Sequence, residues 1–277
     1  MVSATAPLSH GEIVAFPDHV VKVGDSDRDA VQQIQRRLNE VGCGPVEENG
    51  VFDNEKTKNA VKLFQSRFPD VTGAPLKVDG EVGSLTWGAL FGEGTVPSAT
   101  NAPSKLTKAV IDFAKTQVGV LERPLGSNRG PEVDKYLSAV GLNPAGNPPS
   151  GFPWCVAFTH FCYLSAAKDL GIDNPHIKTA GVLDHWQKAG RKSGVVRITK
   201  ANAVANPALI KPGSLFIMDF GGGLGHSGIV VEVANGRLKT IEGNTGPDGS
   251  RNGIGVFERT ARKIGSIQKG FIDYSSF

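Results

Sequence analysis

The stretch "HSGIVVEVANGRLKTIEGN", residues 226–244, contains two strand-like runs joined by an Asn-Gly pair. The runs 226–234 and 237–244 are rich in β-branched residues, and Asn235-Gly236 favours a two-residue hairpin turn. Further strand-like runs lie at hairpin spacing around this pair: 214–220, 254–261 and 267–274. The pattern predicts an antiparallel sheet in the C-terminal part of the chain.

Helical patterns precede this sheet. Apolar residues recur at helical spacing in four segments: 106–119, 130–141, about 153–168 and 179–190. Helices followed by an antiparallel meander define an α+β domain. We therefore expect an α+β domain over residues 105–277.

The N-terminal part predicts a small three-helix module over residues 20–91. Its helical patterns are 27–42, 54–68 and 84–91. Two turns inside it, "NGVFDNEKT" (49–57) and "DGEVGSLT" (79–86), form a weak internal repeat. The segment 92–104, "GEGTVPSATNAPS", has the composition of a linker. The predicted order is therefore module, linker and α+β domain.

Composition excludes several classes of protein. A net charge of +3 over 277 residues is too small to predict nucleic-acid binding. No apolar run is long enough to span a membrane, and the first thirty residues lack the pattern of a secretory signal. Cys43, Cys155 and Cys162 are odd in number and unevenly spaced, so neither a disulfide framework nor a metal site is predicted, and no cofactor is expected.

Cys155 follows a Pro-Trp pair and begins an apolar helical run. A thiol at a helix N-terminus lies near unpaired backbone N–H groups that favour the thiolate, the nucleophilic form. The alternative is a buried cysteine that acts as a small hydrophobic residue. That alternative is the expectation for Cys162, which lies between Phe161 and Leu164.

A catalytic thiol needs a base, and His226 is the candidate among six histidines because it opens a strand after "GGGLG". The other five have unsuitable positions: His10 and His19 in the N-terminal tail, His160 within the Cys155 helix, His176 in a loop and His185 on a surface helix. The glycines at 223, 225 and 228 match G-x-G-x-x-G, but no helix follows them, so nucleotide binding is not predicted.

Glu242 and Asn244 complete the candidate site. Residues two apart project from the same face of a strand, and the hairpin brings both beside His226. A nucleophile, a base and an orienting carboxylate or amide are the parts of an acyl-transfer triad. The alternative for Glu242 is a charged residue on a solvated strand face.

Two family resemblances agree with these patterns. "AVQQIQRRL", "NGVFDNEKTKNAVKLFQ" and "VDGEVGSLTWGAL" resemble the peptidoglycan-binding module of wall hydrolases, with departures at Asn49 and Asp53. "PWCVAFTHF", "GHSGIVVEV" and "TIEGNTGPDGSRNGIGVFERTAR" resemble the CHAP family of cysteine, histidine-dependent amidohydrolases and peptidases. The second resemblance implies a papain-like domain over 105–277 whose functional positions are Cys155, His226, Glu242 and Asn244. Trp154 stands where many relatives have Gln.

The resemblances imply a peptidoglycan hydrolase with a cysteine nucleophile. The bond is either the sugar–peptide amide (amidase) or one within the stem peptides (endopeptidase). The expected partners are peptidoglycan and, for a toxin, an immunity protein or a secretion-system component. Without a signal peptide, we expect a cytoplasmic product that reaches the periplasm or wall as a phage lysin or a type VI secretion effector. The alternatives are a catalytically inactive peptidoglycan-binding protein and a thiol-redox protein, and the second lacks a resolving cysteine near Cys155.

Overall fold

The computed structural model describes residues 14–98, 102–143, 151–247 and 253–277. It divides into two compact units with the main boundary after Ser98: the first contains the described residues before that boundary together with 204–207 and 234–236, and the second contains the other described residues. That boundary lies inside the predicted linker 92–104, of which residues 99–101 are outside the described part. Thr95 and Val96 are buried, and Val96 belongs to the core of the first unit. Within the described residues, no helix is both long and apolar enough to cross a membrane.

Between residues 14 and 98, the first unit contains the helices α1 (Arg28–Glu40), α2 (Lys56–Arg67) and α3 (Ser84–Phe91). Its internal repeat has a physical basis in two buried glutamines. In the first turn, Gln35 donates to the Thr57 hydroxyl at 3.2 Å and accepts from the Gly50 N–H at 2.9 Å. The equivalent bonds of the second turn join Gln65, Thr86 and Gly80. Each Asx-Gly turn is thus held by an amide from the helix before it.

The second unit is α+β, as predicted. Its helices are α4 (Lys105–Thr116), α5 (Pro131–Ala139), α6 (Cys155–Leu170), α7 (Val182–Ala189) and α8 (Lys200–Ala205). Its strands are β1 (Val196–Thr199), β2 (Leu215–Gly221), β3 (Leu224–Ala234), β4 (Arg237–Thr245), β5 (Gly255–Lys263) and β6 (Gly270–Asp273). They form one antiparallel sheet in the order β1-β6-β2-β3-β4-β5. The sequence pattern missed β1 and α8, since both are short and each buries a single side chain.

The predicted hairpin of β3 and β4 is confirmed. Asn235 and Gly236 have φ values of 50° and 71°, and a type I′ turn requires positive φ at both positions. This turn fixes which residues of the two strands lie side by side.

Helix α6 packs directly on β4 because Gly243 has no side chain. A Cβ at that position would lie 2.7 Å from Phe158 and 2.7 Å from the ring of Trp154. Phe158, Trp154 and Tyr136 are fully buried, and their rings pack against one another in the core. The first turn of α6 is thereby held against the strand that carries Glu242.

Candidate active site

Cys155 is the first residue of α6, at the N-terminal position that the sequence predicted. Trp154, the residue before the helix, makes no side-chain capping bond. The backbone N–H groups of the first turn therefore donate to no capping side chain. The Cys155 side chain lines a cleft of about 340 Å³. The other side chains of that wall are mostly apolar: Leu142, Phe152, Pro153, Ala180, Val182 and Leu224, with Asn244.

His226 lies on β3 and is almost completely buried. Its Nε2 is 2.8 Å from Oε2 of Glu242 on β4. Among the described residues its Nδ1 has no hydrogen-bond partner, although the Cys155 thiol is near enough to interact with the ring. Burial alone would lower the pKa of His226, but Cys155 and Glu242 together raise it to about 9. The ring is therefore a proton acceptor that is stabilised in its charged form.

Glu242 is fully buried, and each of its carboxylate oxygens accepts two hydrogen bonds. Oε1 accepts from the Thr240 hydroxyl at 2.6 Å and from Nε of Arg262 at 2.8 Å. Oε2 accepts from Nη2 of Arg262 at 2.6 Å and interacts with His226. Burial opposes the charge, yet His226 and Arg262 lower the pKa of Glu242 to about 2. The carboxylate is ionised over the whole physiological range.

Arg262, on β5, is the member of this group that the sequence analysis missed. Within "FERTARK" it is one of several basic residues on a strand, and nothing in that pattern connects it with residue 242. Strand β2 also approaches it, because the Arg262 guanidinium lies 4.9 Å from the Phe216 ring centroid and contacts the Met218 sulfur, and both residues are on β2. Only the assembled sheet shows that it faces Glu242.

Asn244 does not flank His226 in the manner expected. The sequence argument assumed regular alternation from Glu242, but the β4–β5 register shifts between Glu242 and Thr245, and Asn244 has a φ of 55°. The Asn244 amide is oriented so that its oxygen accepts from the Trp154 N–H at 3.1 Å and its nitrogen donates to Gly253 O at 3.1 Å. It therefore holds the backbone next to the nucleophile and lines the cleft.

A second buried carboxylate supports the same segment from another side. Oε1 of Glu122 accepts the indole N–H of Trp154 at 2.9 Å, and its Oε2 accepts the backbone N–H of Asn128 at 3.0 Å. The Asn128 side chain in turn accepts from Asn244 at 3.3 Å. The segment before Cys155 is thus fixed through Trp154 by two acceptors, one on its indole and one on its backbone.

Gly228, part of the G-x-G-x-x-G match, has a packing role. A Cβ there would lie 2.7 Å from Cγ of Glu242 and 2.8 Å from the Phe216 ring. A glycine at this position lets the Glu242 side chain cross the face of β3.

Among the remaining histidines that the structure describes, His160 lies in the Cys155 helix and His176 in a loop, as predicted, but His185 is placed differently. His185 is fully buried, not on a surface: it lies on the inward face of α7 with Val182 and Ala189, three and four residues away. His160 and His176 are also buried, and the rings of His160, His176 and His185 pack against one another. The spacing of His185 from Val182 and Ala189 along α7 was the sequence signal that could have predicted its burial. His10 lies outside the described residues, and His19 pairs with Asp25 in the first unit.

The described residues contain no group of three or more His, Cys, Asp or Glu side chains that could hold a metal ion. The cysteines among them are unpaired and buried.

Comparison with known families matches two parts of this chain. A peptidoglycan binding domain is matched over residues 27–90, and a CHAP domain over residues 147–244. No curated protein and no solved structure gave a significant match. The chain thus matches a peptidoglycan-binding domain followed by a CHAP domain, the order that the sequence resemblances predicted. This architecture supports a cell-wall hydrolase, with peptidoglycan as its partner and an amidase or peptidase reaction.

Proposed function

We propose that this protein hydrolyses an amide or peptide bond of peptidoglycan, with Cys155 as nucleophile and His226 as base. The observation that carries the proposal is the buried group formed by Cys155, His226 and Glu242. It joins the N-terminus of α6 to two neighbouring strands, with His226 bonded to Glu242 at 2.8 Å and interacting with the thiol. A nucleophile, a base and an orienting carboxylate in this order perform acyl transfer.

The chemistry divides into two half-reactions. His226 Nδ1 takes the proton of the Cys155 thiol, and the sulfur attacks the carbonyl carbon. The tetrahedral intermediate collapses to a thioester as the imidazolium gives its proton to the leaving amine. A water molecule, deprotonated by the same nitrogen, then attacks the thioester, which releases the acid product and restores the thiol. Glu242 stabilises the imidazolium in both halves and holds the ring with Nδ1 toward sulfur.

The oxyanion would be bound by backbone N–H groups in the first turn of α6. These groups point out of the helix N-terminus, where no side-chain cap occupies them. Trp154 supplies no suitable side-chain donor, because its indole N–H is bonded to Glu122. The backbone is therefore the source of the stabilisation, and the Glu122 and Asn244 contacts hold it in place.

The bond that is cleaved is the MurNAc–peptide amide or a bond within the stem peptides, since both are acyl transfers to the same groups. Among the described residues, the cleft wall carries no ionisable side chain besides Cys155. This lining supports an acyl group that is small and uncharged, such as lactyl or alanyl. Mass spectrometry of the muropeptides released from sacculi distinguishes the two bonds by which end carries the new carboxylate.

The protein would act in the periplasm or wall of the target cell, where the polymer lies. Two delivery routes fit this proposal, as a phage lysin or as a type VI secretion effector. A holin gene beside the coding sequence would favour the first, and a gene for an immunity protein that binds the catalytic unit would favour the second.

The decisive experiment compares two cysteines of the same helix. Cys155→Ser is nearly isosteric and should abolish release of muropeptides from purified sacculi while circular dichroism remains unchanged. Cys162→Ser is the matched control, since Cys162 is fully buried within α6 and should retain activity with some loss of stability. A wild-type protein that binds sacculi without releasing any product would instead support an inactive peptidoglycan-binding protein.

A further inference from the structure

We infer that Arg262 is a positioning residue for the reaction, one that fixes the Glu242 carboxylate so that it aligns His226. This inference rests on the proposed function of Cys155 and His226. It concerns a residue outside the part of the chain, 147–244, that the CHAP model matches.

The first step of the argument is geometric. The Arg262 fork holds both oxygens of Glu242, with Nε on Oε1 at 2.8 Å and Nη2 on Oε2 at 2.6 Å. The torsion that turns a glutamate carboxylate is broad and only weakly restricted by itself. A bidentate fork removes that freedom. The remaining acceptor site of Oε2 is then directed at Nε2 of His226, and Nδ1 is left to face the thiol.

The second step concerns charge. The ionisable groups that face Glu242 are His226 from β3 and Arg262 from β5, with Cys155 of α6 beyond the imidazole. A buried carboxylate without a cation protonates instead of remaining charged. Arg262 keeps Glu242 ionised even while His226 is neutral, which the reaction requires when the imidazole has given up its proton.

The third step is that Arg262 is itself held. Its guanidinium lies over the Phe216 ring, and Nη1 contacts the Met218 sulfur at 3.5 Å. The Phe216 ring also packs against the His226 ring at 5.7 Å. The side chain is only 12% exposed. The arginine is thus part of the packing that surrounds the imidazole.

An ion pair on the same two strands provides a matched control. Lys239 of β4 and Glu258 of β5 approach to 3.0 Å, but both side chains are about one-third exposed. Lys239→Met removes a cation from the β4–β5 ladder without changing any group of the site. Its kinetics should equal those of the wild type.

The test uses the full chain and two readouts. The first is the pH dependence of Cys155 alkylation by iodoacetamide, followed by mass spectrometry of the peptide that contains Cys155. The second is kcat and KM on soluble muropeptides. Arg262→Met should lower both kcat and the alkylation rate at neutral pH by about 10- to 100-fold. This is the range typical for loss of a residue that orients a functional side chain without touching the substrate. KM should not change, and the acid limb of the alkylation profile should move to higher pH as Glu242 loses its cation.

Arg262→Lys keeps the charge and loses the fork. It should leave the acid limb near its wild-type position but lower kcat by a smaller factor than Arg262→Met. A double variant, Arg262→Met with Glu242→Gln, leaves no unpaired buried charge and guards against a folding failure of the single variant. If Arg262 acts through Glu242, this double variant should match Glu242→Gln within about 3-fold, since effects within one unit are not additive.

Three results would overturn the inference: Arg262→Met behaving like Lys239→Met, Arg262→Lys behaving like the wild type in both readouts, or a further large loss in the double variant. A failure of the proposed function itself would give a different result in the alkylation experiment. In that case wild-type Cys155 would be alkylated near pH 7 no faster than a thiol in the unfolded chain.

Discussion

The second unit buries histidines in two places, and the two environments treat the ring in opposite ways. At the candidate site, His226 lies against the carboxylate of Glu242 and beside Cys155, and its pKa is raised. In the cluster formed by His160, His176 and His185, burial lowers the pKa of every ring, to about 4 for His160 and about 3 for His185.

The difference lies in the partners, because all four rings are nearly inaccessible. The partners of the cluster are neutral: Thr159, the Ile177 carbonyl and the Tyr274 hydroxyl. Of the charged groups near it, Lys178 and Lys192 disfavour further positive charge, whereas Asp184 favours it. Burial therefore sets the penalty for charge, and a facing carboxylate decides whether the imidazole carries it. A base for catalysis requires the environment of His226, in which a carboxylate faces the ring.

The largest expected effect separates the two places by activity. His226→Gln should reduce hydrolysis of peptidoglycan by about 10⁴-fold or more, as loss of a triad base does. His185→Gln, the matched change in the cluster, should keep activity within a few-fold, measured per folded protein. Comparable losses in the two variants would show that the pairing of His226 with Glu242 has no special role.

Next in size is the orienting carboxylate. Glu242→Gln preserves shape but removes the charge that stabilises the imidazolium, so kcat should fall by about 10³- to 10⁴-fold. Asn244→Ala should cost less, because its amide contacts the Trp154 backbone and not the ring. The ranking would be wrong if Asn244→Ala were the more damaging variant and changed the pH profile of the reaction.

The pH dependence of stability should show both environments in one experiment. The folded pKa values of the cluster lie below the value of about 6.5 for an unfolded histidine. Below about pH 6.5 these histidines therefore bind more protons in the unfolded state than in the folded state. Their contribution to the free energy of unfolding is complete above about pH 6.5 and is lost as the pH falls toward the folded pKa values of about 4 and 3. Three such groups give a slope of up to about 4 kcal/mol per pH unit in the free energy of unfolding.

His226 has the opposite sign. Its folded pKa is raised to about 9, so its contribution is complete below about pH 6.5 and is lost as the pH rises through 9. Urea unfolding at a series of pH values measures both limbs. His160→Gln should reduce the slope of the acid limb by about a third, and His226→Gln should remove the alkaline decline while leaving the acid limb. An acid limb that is unchanged in His160→Gln would contradict the assignment.

The smallest effect expected is within the cluster. The Tyr274 hydroxyl is 2.7 Å from Nε2 of His185 and accepts the Ile177 N–H at 3.4 Å. Tyr274→Phe should lower the free energy of unfolding by about 1–2 kcal/mol at neutral pH, since it leaves buried polar groups without partners. Activity of the folded protein should not change. A thermal melt beside a muropeptide assay checks both statements.

Much of the site could be predicted because its parts are local. The position of Cys155 at a helix start and of His226 in a strand follows from short patterns, and Asn235-Gly236 fixes the hairpin that brings Glu242 to His226. The prediction for Asn244 was less successful because a register shift interrupts the alternation on which it depended.

The sequence by itself determined the features that depend on near neighbours along the chain. These are the two domains, the α+β class, the hairpin, and the candidate nucleophile and base. The tertiary structure decided which charges meet. Arg262 is 20 residues from Glu242, Glu122 is 32 residues from Trp154, and Tyr274 is 89 residues from His185. Periodicity reports which face of an element is buried, but the partner that faces it comes from another element. The protonation of a buried histidine depends on that partner, so it is settled only when the sheet and its helices assemble.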